Sequence, residues 1–193
     1  MINRPAACDG PLEFAQAIPP AVQGFANELV RTRALATPLE ASQIPPESSA
    51  EQLRTLGALK RPSALPGYAS WVHWVSDWMA RFGALSDAGA VRLRMFHTRH
   101  PSCPRFHTDV VPVRLIATLI GPGTQWLRGQ DVVRSPEGRI GQLPDAGQVQ
   151  QLAPGTVGLF QGAARGLNPG PAVVHRSPLV HEDRIVLTLD VDG

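Results

Sequence analysis

His107 and Asp109 stand two positions apart in "RFHTDVVPVRLIATLIGPG" (105–123), directly ahead of a β-branched run. In an extended segment, side chains at i and i+2 point to the same face, so this imidazole and this carboxylate converge if Thr108 faces away. A third donor has to come from elsewhere in the β half, and the only histidines downstream are His175 and His181. His175 ends the apolar run "PAVV", at a strand end much as His107 is. Two histidines and a carboxylate with positions left open suit Fe(II) and oxygen chemistry, whereas tetrahedral zinc more often adds Cys or a third His. Each residue also has an ordinary reading. His107 can be a loop histidine bonded to backbone, Asp109 a turn closer before Pro112, and His175 a solvated strand end.

Arg184 follows His175 by nine residues and opens the strand-like "RIVLTLDV", in which Arg184, Val186 and Thr188 share a face. An arginine inside an apolar barrel is costly without an anion. A dicarboxylate would supply one, through two parallel hydrogen bonds to the guanidinium. The ordinary reading pairs Arg184 with Glu182 or Asp183 at the surface. His97, His100 and Cys103 form a second candidate group, in which a thiolate beside imidazole would favour zinc. Otherwise Cys103 is a small buried apolar side chain and the two histidines line the mouth of the site. The arginines at 92, 94, 99, 105 and 114 make either an anion-attracting rim or the wet face of a sheet. Trp126 either caps the pocket or lies buried beside a glycine turn.

Positioning these groups requires a β framework, and the chain changes character near residue 88. Before it the apolar spacing is helical. Val22, Phe25, Ala26, Leu29 and Val30 form one helix face. Ser49 with Gln52 reads as a capping box ahead of Leu53, Leu56 and Leu59, and Pro62 closes that helix. Trp71, Val72, Val75, Trp78, Met79 and Phe82 make a continuous stripe for core packing, with Gly83 as the expected stop. After Gly89, "VRLRMF" (91–96), "VPVRLIATLI" (111–120), "TVGLF" (156–160), "AVVH" (172–175) and "RIVLTLDV" (184–191) are short β-rich runs separated by Gly and Pro. That pattern predicts an antiparallel sandwich or barrel, with 128–150 as a long loop or irregular hairpin. The expected organisation is a helical layer over 1–88 and a β core over 89–193, together one compact domain.

The bulk properties agree with one folded domain: 193 residues, 43% hydrophobic, 18% charged. A formal charge of +2 gives no reason to expect a nucleic-acid or membrane partner. Lys60 is the only lysine, so the positive charge is almost all arginine. Two cysteines, Cys8 and Cys103, give no disulfide framework, and no secretion signal or apolar span is evident. The expected location is cytoplasmic. Neither oligomeric state nor primary substrate can be read from these features.

The spacing H-x-D, then His 68 residues on, then Arg at plus nine, resembles that of the double-stranded β-helix dioxygenases that use Fe(II) and 2-oxoglutarate. "VRLRMFHTRHPSCPRFHTD" is similar to the approach to that superfamily's first two ligands, and "LAPGTVGLF" to its penultimate Pro-Gly turn and strand. More narrowly, "CPRFHTDVVPVRLIATLIGPGTQWL", "ARG" (164–166) and "HRSP…RIVLTLD" resemble an uncharacterised bacterial family, domain of unknown function 1826, over most of the chain. Members of that family are sometimes linked with zinc homeostasis. The broader resemblance implies an α+β fold, with N-terminal helices packed on a jelly-roll or cupin-like double-stranded β-helix. It implies Fe(II) on His107, Asp109 and His175, 2-oxoglutarate held by Arg184, and hydroxylase-type oxidation of an unknown substrate. Many relatives carry a hydroxyl two residues after the arginine. Val186 stands there in this chain, so the second cosubstrate contact falls to Thr188 or Thr118. Zn(II) on the same barrel, without oxygenase turnover, is the alternative; a pocket holding an anion without metal is another.

Overall fold

The computed structural model describes residues 9–164 and 171–192. Cys8, and Arg165 and Gly166 of the "ARG" stretch, lie outside them. Four helices, α1 (Pro20–Thr32), α2 (Ala50–Thr55), α3 (Gly57–Lys60) and α4 (Tyr68–Ser86), cover one face of a large antiparallel sheet. That sheet has the order β1-β7-β4-β9-β3-β2 and is not closed. Its strands are β1 (Leu12–Phe14), β2 (Leu39–Ile44), β3 (Val91–Thr98), β4 (Val113–Ile120), β7 (Val157–Gln161) and β9 (Arg184–Val191). A small antiparallel sheet, β6-β5-β8, comprises β5 (Gln125–Leu127), β6 (Val149–Gln151) and β8 (His175–Arg176).

Alternation along the strands separates the two sides of the large sheet. Val91, Leu93 and Met95 of β3, with Leu187 and Leu189 of β9, are fully buried against Phe25, Leu29, Trp71, Val75, Met79 and Phe82 of the helices. Burying each such side chain contributes roughly 1.5–3 kcal/mol, so this interface dominates stability. The opposite row, Arg92, Arg94 and Phe96 on β3 and Arg184, Val186, Thr188 and Asp190 on β9, faces a cavity of about 520 Å³. A second apolar cluster, Ile116, Leu152, Phe160, Val173 and Val186 with Phe96 and Trp126, joins the two sheets.

The helix starts follow their sequence signals. Pro20 opens α1, where its missing N–H costs nothing, and Ser49 and Gln52 form a reciprocal capping box on α2. Four expectations are corrected. The run expected as one helix up to Pro62 is divided at Leu56, whose extended backbone (ψ 125°) separates α2 from α3. Residues before 88 are not helical alone, since β1 pairs with β7 and β2 with β3, at the two edges of the sheet. Gly83 does not stop α4, which runs on to Ser86 and closes at Asp87 in the left-handed region. Gly83 is there for close approach: an added Cβ would lie 2.4 Å from the Cβ of Pro46. The first β-rich run after the H-x-D pair enters the sheet only at Val113, because Asp109 and Pro112 give their carbonyls to Ala163 and Gly162 instead. The stretch between β5 and β6 is an irregular hairpin with a bridge from Arg134 to Ile140, in line with its polar, glycine-rich composition. Among the described residues, no helix is long and apolar enough to cross a membrane.

Candidate metal centre

His107 and His175 meet because the segment around His107 adds itself to the edge of the small sheet. Their backbones exchange two hydrogen bonds, 3.0 and 2.9 Å, which places the rings on one side with centroids 4.6 Å apart. Asp109, two residues on, joins them. One donor atom from each of His107, Asp109 and His175 lies within 4.8 Å of the others. Asp109 and His175 are buried, while His107 is partly open to the cavity. Phe160 packs on the His175 ring at 5.0 Å and backs it from the apolar side.

Both imidazoles are anchored by their far nitrogen. His107 Nδ1 lies 2.9 Å from the carbonyl of Arg105, and His175 Nδ1 lies 3.1 Å from that of Val173. Carbonyls only accept, so each Nδ1 carries the proton and each Nε2 turns a lone pair toward Asp109. His175 Nε2 is 3.2 Å from Asp109 Oδ2 and His107 Nε2 is 3.7 Å from Oδ1. Oδ2 is buried and receives no hydrogen bond from the described residues. Three electron pairs facing one another repel unless a cation or a proton sits between them. The donor set and the orphaned oxygen therefore fit a divalent metal with open positions.

Electrostatics favour the same state. Burial pushes the Asp109 carboxyl up, but His107, His175 and Arg114 together outweigh it and hold the group well below the usual carboxylate range. His107 is raised above its ordinary value of 6.5, chiefly by its interaction with Asp109, with burial opposing. Both shifts favour positive charge at the point where the three donors meet.

Arg184 is 3% exposed and makes no ion pair with a described residue, so the surface pairing with Glu182 or Asp183 does not occur. Its Nε donates to the carbonyl of Pro122 at 2.9 Å, and the side chain lines the same cavity as His107 and His175. Burial lowers its pKa from 12.5 to about 10. Thr188 lines the cavity on the same face of β9. Thr118 lies opposite Val186 in the strand register; its Oγ1 is buried and unbonded, and it is not part of the cavity wall that Thr188 and Arg184 share.

The second candidate group does not assemble. His97 Nε2 bonds to Asp183 at 2.8 Å, while His100 faces His181 with Nδ1 to Nδ1 3.0 Å. Cys103 is exposed, not a buried apolar residue as its alternative reading had it. Among the described residues, no set of three donors other than His107, Asp109 and His175 forms. Trp126 lies opposite His175 in the small sheet and packs into the cluster between the sheets. Two residues of the centre carried no recognisable sequence signal of their role. Arg114, one of the rim arginines, is turned onto Asp109, and Asp190 holds Arg114. Gly162 supports the loop of Asp109: an added Cβ would lie 1.8 Å from the carbonyl oxygen of Val111. Gly162→Ala is expected to destabilise the chain by roughly 1–3 kcal/mol through overpacking, and to weaken metal uptake by shifting the backbone at Asp109. Thermal melts with and without metal check both effects.

Among curated proteins, no sequence matches the chain. Solved structures do match by shape. The dioxygenase for auxin oxidation 1 of Arabidopsis thaliana, in its 2-oxoglutarate complex, aligns with TM-score 0.51 and 10% identity over 95% of this chain and 83% of that one. A Pseudomonas putida prolyl-4-hydroxylase aligns with TM-score 0.50 and 13% identity over 96% and 93%. At such identities the likeness is one of fold. Residues 13–190 match the model described as "Protein of unknown function (DUF1826)", and the chain therefore belongs to that family.

Proposed function

We propose that the protein is an Fe(II)- and 2-oxoglutarate-dependent dioxygenase of the hydroxylase type. The β core (89–193), with the helices and the edge strands β1 and β2 contributed by the N-terminal part, would form one compact domain of double-stranded β-helix type. The observation that carries this reading is the shared cavity. Three neutral or anionic donors converge on one point, and a buried arginine without a carboxylate partner among the described residues lines the same space. His107, Asp109 and His175 would hold the metal. Bound iron would supply the redox chemistry that couples decarboxylation of 2-oxoglutarate by O₂ to oxidation of a C–H bond.

The remaining tasks belong to the chain. Arg184, with Nε tied to Pro122, turns its remaining donors to the distal carboxylate of the cosubstrate. Thr188, on the same face, offers a hydroxyl in place of the one absent at Val186, whereas Thr118 lies off this cavity wall. Phe96, Ile116 and Val186 form an apolar wall that keeps water from the reacting groups. The likeness in fold to a dioxygenase in its 2-oxoglutarate complex and to a prolyl-4-hydroxylase supports the reading.

The test is anaerobic addition of Fe(II) and 2-oxoglutarate to metal-free protein. A weak visible charge-transfer band that needs both components is the expected result, followed by succinate formation on admitting O₂. Stoichiometric metal uptake with no spectral or calorimetric response to 2-oxoglutarate would remove the cosubstrate. Tight Zn(II) combined with that indifference would favour a zinc-binding protein of metal homeostasis.

A further inference from the structure

We propose that Arg114 is a positioning residue for the metal centre. Clamped by Asp190, it occupies one oxygen of Asp109 and leaves the other as a single ligand atom. This rests on the metal-binding half of the reading above and is independent of the 2-oxoglutarate half.

The geometry follows from strand register. Arg114 on β4 lies directly opposite Asp190 on β9, so the two side chains share a face. Arg114 donates from Nε and Nη2 to the two oxygens of Asp190, at 2.6 and 2.9 Å. Such a two-point fork fixes both the position and the plane of the guanidinium, which a lysine could not achieve. The direction of Nη1 is then determined, and Nη1 donates to Asp109 Oδ1 at 2.7 Å. Rotation of the Asp109 carboxylate is thereby set, with Oδ2 toward His175 Nε2 and without a donor of its own among the described residues. Asp190 is free for this duty because Arg92, its neighbour on β3, pairs with Asp192 instead.

Stability alone does not account for such a triad. Two carboxylates and one guanidinium, mostly withdrawn from water, contribute little net stability, since desolvation offsets their attraction. Their position does explain them. The same register places Phe160 of β7 opposite Arg114, and Phe160 backs His175. One row across β7, β4 and β9 thus orients two of the three ligands.

The experiment titrates metal-free protein with Co(II) alone and follows affinity and the visible d–d spectrum. Wild type, Arg114→Met, Arg114→Lys, Asp190→Asn and His107→Ala are compared. Loss of an outer partner of a ligand typically costs roughly 10–100-fold in metal affinity, and that is the expected effect of Arg114→Met. Its Co(II) spectrum should also change in intensity, because the freed Oδ1 can now coordinate. Asp190→Asn should move both readouts in the same direction although it touches no metal, and Arg114→Lys should recover part of the affinity. Co(II) affinity and spectrum indistinguishable from wild type in both Arg114→Met and Asp190→Asn would overturn the proposal, whatever happens to melting temperature. Should Arg114→Met fail to fold, Asp190→Asn and Arg114→Lys carry the same comparison. If wild type takes up no Co(II), the metal centre itself falls and Arg114 has nothing to position. If Co(II) binds as expected but 2-oxoglutarate does not, only the cosubstrate reading is lost.

Discussion

Replacing Arg184 by methionine should abolish 2-oxoglutarate binding and, in the ligand-free protein, raise the melting temperature. The two effects have one cause. Arg184 is nearly fully buried, with one hydrogen bond to a carbonyl and no ion-pair partner among the described residues. Burial depresses its pKa from 12.5 to about 10, which corresponds to a cost of about 3 kcal/mol for holding the charge at neutral pH. Losing the bond to Pro122 returns about 1 kcal/mol of that. A net gain of about 2 kcal/mol in a chain of this size raises Tm by roughly 4–8 °C. The folded pKa is the lower one, so the penalty is present at every pH below about 10 and is relieved only above it. The variant's advantage is therefore flat through the neutral range. On the binding side, two charge-assisted hydrogen bonds at about 1.5–3 kcal/mol each make the loss of 2-oxoglutarate affinity about 100-fold or more. Calorimetry at fixed metal occupancy measures it. A Tm that falls, with affinity retained, would show that Arg184 is a structural residue.

His107→Ala should remove metal binding while sparing the fold. One ligand of three is lost from a centre whose binding free energy is shared among them, so affinity should fall by about a thousand-fold or more. Elemental analysis of protein purified without a metal-affinity tag should give close to one metal per chain in wild type and none in the variant. The metal-free proteins should differ only with pH. His107 is raised above 6.5 by Asp109. Its stabilising proton is fully present below that unfolded value and is lost as pH rises through the raised one. The Tm difference between metal-free wild type and variant should open on acidification and close in alkali. Metal uptake by wild type should show the converse, weakening as protons compete for the same imidazole. Equal metal content in the two proteins would remove His107 from the centre.

Much of this was legible along the chain. His107 with Asp109, and His175 at a strand end, are local features: alternation in an extended segment puts the first two on one face, and residue type limits the third. The α4 stripe was equally plain, because 3.6-residue periodicity is written in consecutive residues. Other features gave no such signal. The strands β1 and β2 are short edge strands whose pairing depends on β7 and β3, far along the chain. Arg114 looked like any arginine on a wet strand face, because alternation assigns a face and not a partner. Gly162 and Gly83 serve as points of close approach to Val111 and Pro46, and nothing nearby in sequence announces a neighbour that distant.

By itself the sequence determined the donor chemistry, the main β-rich runs around it and the helical covering of one side, since each depends on residue type and short-range periodicity. Tertiary structure decided which histidines face each other, that Arg184 turns inward without an ion-pair partner among the described residues, and that Arg114 reaches Asp109 from a bond to Asp190. Those outcomes are set by inter-strand register, and shifting one strand by a single residue would turn all of that strand's side chains to the opposite face.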